Sequence, residues 1–70
     1  MELADYLEKK DVTLAEFGSQ VGGVEESTVA RWRDGLMFPS PDNMRTIESV
    51  TAGLVTYSDF QRTRERVRAT

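Results

Sequence analysis

Apolar residues recur along this chain at spacings of three and four, the period of a helix with one buried face. Leu14, Phe17 and Val21 share such a face, and Thr13 with Glu16 three residues later has the form of a capping box, so a helix starts at Thr13. Gly22 and Gly23 end it, because glycine adopts left-handed backbone angles without a Cβ penalty. Val29 and Trp32 mark a second helix from about Glu25 to Gly35, with the acidic pair Glu25 and Glu26 in its first turn, where the helix dipole favours negative charge. Leu3, Tyr6 and Leu7 predict an opening helix over about Glu2 to Lys10. Met44, Ile47 and Val50 predict a fourth, capped by Ser40, led by Pro41 and stopped at Gly53. Thr56 and Asp59 form a second capping pair, so a short fifth helix starts at Tyr57. The pattern describes an all-α chain of five helices.

The stretch Thr13 to Gly35, TLAEFGSQVGGVEESTVARWRDG, is two short helices meeting at a glycine hinge. Through Phe17, Val21, Gly23, Val24, Ser27, Thr28, Val29, Arg31, Trp32 and Gly35 it resembles the Cro and phage-repressor (XRE-type) helix-turn-helix family. FPSPDNMRTIESVTAGLVTYSDF is similar to the ending of small Cro-like prophage regulators, so the resemblance extends from Met1 to about Phe60. It implies a compact five-helix Cro/repressor-like bundle whose second motif helix, about residues 25–34, enters the major groove of double-stranded DNA. There the edges of all four base pairs are distinguishable.

Three positions depart from the family pattern. Gly18 stands where alanine is usual, which keeps room for helix approach but weakens the helix by roughly 1 kcal/mol. The turn carries Gly22 and Gly23 where one glycine is expected, and this implies a displaced or more mobile recognition helix. Leu14 replaces a glutamine that in many members helps to hold the DNA backbone.

Composition narrows the function classes. Seventy residues make one small domain, with residues 1–61 forming the helix-turn-helix unit and 62–70 a basic C-terminal tail. With no cysteine and no histidine there is neither a disulfide, nor a thiolate metal site, nor the commonest general base. No catalytic set, metal site, cofactor motif or small-molecule site is visible, so an enzyme is not expected. No apolar run approaches a membrane span and MELADYLEKK lacks the features of a signal peptide, so the expectation is a cytoplasmic protein of a bacterial or phage-infected cell. The net charge of −3 is unusual for a nucleic-acid binder. Its distribution is uneven: eleven acidic and five basic residues precede Arg62, and four arginines with one glutamate follow.

The outward positions of the recognition helix are Glu25, Glu26, Ser27, Thr28, Ala30, Arg31 and Arg33. The resemblance aligns Glu26, Ser27 and Arg31 with residues that face base edges, and Glu25 and Thr28 with the helix start or DNA backbone. Arg31 can fork onto a guanine, a contact worth about 1–3 kcal/mol of discrimination; the alternative is a solvated arginine, or one paired with Glu26 or Asp34. Glu26 can accept from cytosine N4 yet repels phosphate, and otherwise stabilises the helix start. Ser27 and Thr28 are short hydroxyls suited to a base, a phosphate or a helix start. Arg33 and Arg45 are candidates for phosphates flanking the groove, or ordinary solvated residues. Arg62, Arg64, Arg66 and Arg68 alternate strictly. A strand or extended arm along DNA, a helix spreading them over two sides, and a solvated end all accommodate that alternation.

The expected function is a sequence-specific DNA-binding transcription regulator, a repressor acting by occupancy, bound as a homodimer to a palindromic operator. By family habit the dimer surface involves Leu36 to Pro39 or Leu54 to Phe60. The rival is a protein-interaction module, an antirepressor or adaptor with the same fold, motivated by the acidic body and the altered turn.

Overall fold

The computed structural model describes residues 1–69 and is all-helical. Its elements are α1 (Leu3–Lys9), α2 (Leu14–Gln20), α3 (Glu26–Arg33), α4 (Pro41–Val50) and α5 (Tyr57–Ala69). No helix among the described residues is long and apolar enough to cross a membrane.

Local chemistry fixes most of the ends. At α2 the capping box is complete: Glu16 N donates to Thr13 Oγ1 at 3.1 Å and Thr13 N donates to Glu16 Oε1 at 3.0 Å. At α4 the Ser40 hydroxyl accepts from Asn43 N at 3.2 Å, with Pro41 in the first turn, where its missing N–H costs nothing. Gly22, Gly23, Gly35 and Gly53 all have positive φ, as chain reversals after helices require. The α4 to α5 connection is tied by Thr51, whose hydroxyl donates to Ile47 O at 2.8 Å and accepts from Val55 N at 3.2 Å.

The helices bury one cluster: Leu3, Tyr6 and Leu7 from α1, Phe17 from α2, Val29 and Trp32 from α3, and Met44 and Ile47 from α4, with Val21, Val55 and Phe60. Tyr6 and Phe17 meet edge to face with centroids 6.0 Å apart. Among the described residues no buried side-chain N or O atom lacks a hydrogen-bond partner.

The fifth helix differs from expectation. It is the longest of the five, and it takes in the basic segment from Arg62 to Ala69, so the alternating arginines lie on a helix and not on a strand or an extended arm. Only Thr70 of that segment falls outside the described residues. Phe60, Thr63 and Val67 carry the helical period beneath the alternation, and the carboxylates around them reward it. Glu2 accepts from Thr63 Oγ1 at 2.7 Å and from both terminal nitrogens of Arg66 at 2.7 and 2.5 Å. Asp59, buried at 2% exposure, accepts from Thr56 N at 2.8 Å, Thr56 Oγ1 at 3.0 Å and the Met1 ammonium at 3.0 Å, and pairs with Arg62.

Candidate nucleic-acid interface

The α2–α3 pair is the most closely associated pair of helices in the molecule, and α3 also rests on α1. It forms because α2 presents Phe17 and the side-chain-free Gly18 to α3, and α3 answers with Val29 and Trp32, 0% and 1% exposed. A helix that buries positions 29 and 32 must turn the opposite side outward. Helical period therefore puts Ser27 and Arg31, four apart, on the outermost strip, with Glu26 and Arg33 on one flank and Thr28 on the other. Glu25, Glu26, Ser27 and Arg31 are exposed, whereas Thr28, Ala30 and Arg33 are half-buried, so the exposed strip is narrower than the seven outward positions expected.

The charges on this strip are partly committed. Asp34 accepts from Arg33 Nε at 2.8 Å and from Nη2 at 3.1 Å, a bidentate pair just past the end of α3. The Arg33 hydrogen bonds lower the Asp34 pKa against the opposing effect of desolvation, and raise that of Arg33. Because Asp34 is held by Arg33, it is not the partner of Arg31. Arg31 makes no ion pair or side-chain hydrogen bond among the described residues, leaving its guanidinium fork open to a ligand.

Arg45 sits elsewhere. On α4 it pairs with Asp42, both highly exposed, and it lines an open groove of about 400 Å³ with Pro39, Pro41, Met44, Glu48 and Tyr57. The structure thus gathers Glu26, Ser27 and Arg31 on one exposed surface, keeps Thr28 and Arg33 at its edges, and has Arg45 on α4, lining a groove that none of those five lines. Of the C-terminal arginines, Arg62 and Arg66 are held by Asp59 and Glu2, and Arg64 lies over the Phe38 ring at 5.0 Å from its centroid. Of the arginines expected to offset the acidic body, Arg33, Arg45, Arg62 and Arg66 are therefore paired with carboxylates of the same chain, whereas Arg64 and Arg68 are in none of these ion pairs.

A second surface begins where α3 ends. Gly35 lies against Thr63 and Val67 of α5, which brings the loop from residue 36 to 38 alongside that helix. Phe38 and Tyr57 meet at a tilt of 53° with centroids 5.7 Å apart. Leu36 is 66% exposed, and Met37 in the same loop and Tyr57 and Val67 on α5 are partly exposed. The run Leu36, Met37, Phe38 was visible in the sequence, but its contact with α5 needed the helical conformation of the basic segment. Among the described residues no group of three or more metal-binding side chains is placed to hold an ion.

Comparison with protein-family profiles, with curated proteins and with solved structures finds no match to this chain.

Proposed function

We propose that the chain is a sequence-specific double-stranded DNA-binding transcription regulator of Cro/repressor type, with α2 and α3 as its helix-turn-helix and α3 as the recognition helix. The observation that carries this reading is the Ser27–Arg31 strip: an exposed arginine without an internal carboxylate, on a helix anchored by fully buried Val29 and Trp32. An unpaired guanidinium on the exposed face of an anchored helix is suited to bidentate pairing with guanine O6 and N7. Ser27, one turn earlier, supplies a short donor and acceptor beside it, and Glu26 on the flank is suited to cytosine N4 while disfavouring close phosphate approach.

Arg33 and Arg45 serve phosphates in this reading by exchanging partners. Exposed ion pairs contribute only about 0.2–1 kcal/mol, so releasing Asp34 or Asp42 for a phosphate is a small cost. Repression follows from occupancy of a promoter by the bound protein. A homodimer on two half-sites about one helical turn apart fits the size of the unit, and we assign its surface to the apolar strip of Leu36, Met37, Phe38, Tyr57 and Val67.

The internal pairing of Arg33, Arg45, Arg62 and Arg66 favours the second reading, a protein-interaction module, an antirepressor or adaptor with an acidic body. Selection of bound sites from random duplex DNA, followed by titration of the selected site at several salt concentrations, separates the two. The DNA reading expects an enriched palindromic site, a linear loss of log affinity with log salt, and a loss of roughly tenfold or more on Arg31→Ala. No enrichment above the input pool favours the protein-interaction reading.

A further inference from the structure

Gly18 occupies the middle of α2, buried against the start of α3. A Cβ placed on it would lie 2.1 Å from the carbonyl oxygen of Val24 and 3.2 Å from its carbonyl carbon, with Val29 Cγ2 next at 3.6 Å. The obstacle is backbone, so no side-chain rotation relieves it. The connection wraps onto the same residue from the other side: Gly23 N and Val24 N both donate to the Gly18 carbonyl, at 3.0 and 2.9 Å. Gly22 and Gly23 themselves have open space around them, and what they supply is conformation, φ of +105° and +89°. Two consecutive left-handed residues fold the chain back so that Val24 lays its carbonyl into the volume that a side chain at position 18 would fill.

We infer that Gly18 is the positioning residue for α3, coupled to the two-glycine turn: the absent side chain at 18 and the length of the turn are one device that sets where α3 lies on α2. Neither half works without the other. An alanine at 18 drives the Val24 carbonyl outward and lifts the first turn of α3, carrying Glu26 and Ser27 with it. A turn shortened by one residue no longer delivers that carbonyl to Gly18, and so makes room for the alanine methyl. The packing half of this inference stands on distances alone; its consequence for base reading rests on the proposed function.

Three variants of the full chain test it: Gly18→Ala, deletion of Gly23, and the two combined. Trp32, the single tryptophan and 1% exposed, reports the seating of α3 through its emission wavelength. Gly18→Ala is expected to lower the thermal midpoint by about 10 °C and to shift Trp32 emission to the red. The combined variant is expected to be more stable than Gly18→Ala and to regain the buried-tryptophan emission. If Gly18→Ala does not fold, return of a helical circular dichroism spectrum in the combined variant takes the place of the midpoint comparison. Unchanged midpoint and emission in Gly18→Ala, or a combined variant no more stable than Gly18→Ala, would overturn the coupling. Site selection from random duplex DNA then reads function. A folded combined variant that selects a different consensus from the wild type supports positioning of the recognition helix, and an identical consensus reduces Gly18 to a packing role. Failure of the wild type to select any site sinks the proposed function and leaves the stability test intact.

Discussion

Among the described residues Asp59 has the most side-chain bonds, and its removal is expected to have the largest effect of any buried polar substitution. Its carboxylate closes three connections at once: the start of α5 through Thr56 N and Oγ1, the amino end of the chain through the Met1 ammonium, and the helix flank through Arg62. Deleting one partner of a buried ion pair costs about 3–5 kcal/mol when the other charge is left dry. Here the cations keep some water, with the Met1 group 22% and Arg62 60% exposed, and the Met1 ammonium retains Leu54 O at 2.7 Å. The loss for Asp59→Ala is therefore placed at about 3 kcal/mol, at the lower end of that range. A chain of this size has only some 4–10 kcal/mol in total, so the midpoint should fall by about 12–24 °C.

Thermal and urea unfolding followed by circular dichroism would measure the effect, with Asp59→Asn as the companion. Asparagine keeps the shape and an acceptor for Thr56 N but removes the charge, so its loss should be smaller than that of alanine. An Asp59→Ala midpoint within about 4 °C of the wild type would refute the reasoning. The pH dependence gives an independent reading. Burial raises the Asp59 pKa, but the Thr56 amide, the Met1 ammonium and the Thr56 hydroxyl outweigh it, and the net shift is downward. A folded-state pKa below the unfolded value of about 3.9 means that the contribution is fully present above that pH. It is lost as pH falls through the folded pKa. The acid limb of the wild-type stability curve should therefore be steeper than that of Asp59→Asn.

Glu2 should add to the same acid limb. The Arg66 hydrogen bond holds its pKa down against desolvation, with help from Thr63, and Glu2→Gln should flatten the curve below about pH 4 without moving it near neutrality by as much as Asp59→Ala does. Ser40→Ala removes the cap of α4 and should cost about 1 kcal/mol, read as a fall of 4–8 °C in the thermal midpoint. Leu36→Asp places a charge in the exposed apolar strip; sedimentation should show weakened self-association with an unchanged midpoint, and a monomeric wild type under all conditions, DNA-bound included, would remove that strip as a dimer surface. A shallow salt slope, corresponding to only a few phosphates neutralised, is expected for any duplex the protein binds, because Arg62 and Arg66 are held by Asp59 and Glu2.

Helix starts and stops were the most legible part of the fold. Thr13 with Glu16, Ser40 with Pro41, and Thr56 with Asp59 act within three residues of themselves, so their hydrogen bonds follow from sequence spacing. The buried positions Phe17, Val29, Trp32, Met44 and Ile47 were legible for the same reason, since a helical period names one face without reference to what covers it. The arginine alternation left the basic segment open between helix, strand and solvated end, and the weaker period of Phe60, Thr63 and Val67 shows its meaning only once Glu2, sixty-one residues before Thr63, lies beside it. The exposed strip on α3 was legible in outline. That Arg33 is spoken for by Asp34, and Arg31 is not, depended on side-chain geometry at the helix end.

The sequence alone determined five helices, the caps of α2, α4 and α5, and most of the buried positions, because propensity, capping and periodicity are short-range effects carried by neighbouring residues. Gly18 and the doubled glycine stood in the sequence as two separate departures from a familiar pattern. Only the tertiary structure joined them, by bringing the Val24 carbonyl across the turn onto an α-carbon six residues earlier. It likewise decided which charges are free, since an ion pair depends on the distance between side chains that folding brings together, and spacing along the chain does not specify that distance.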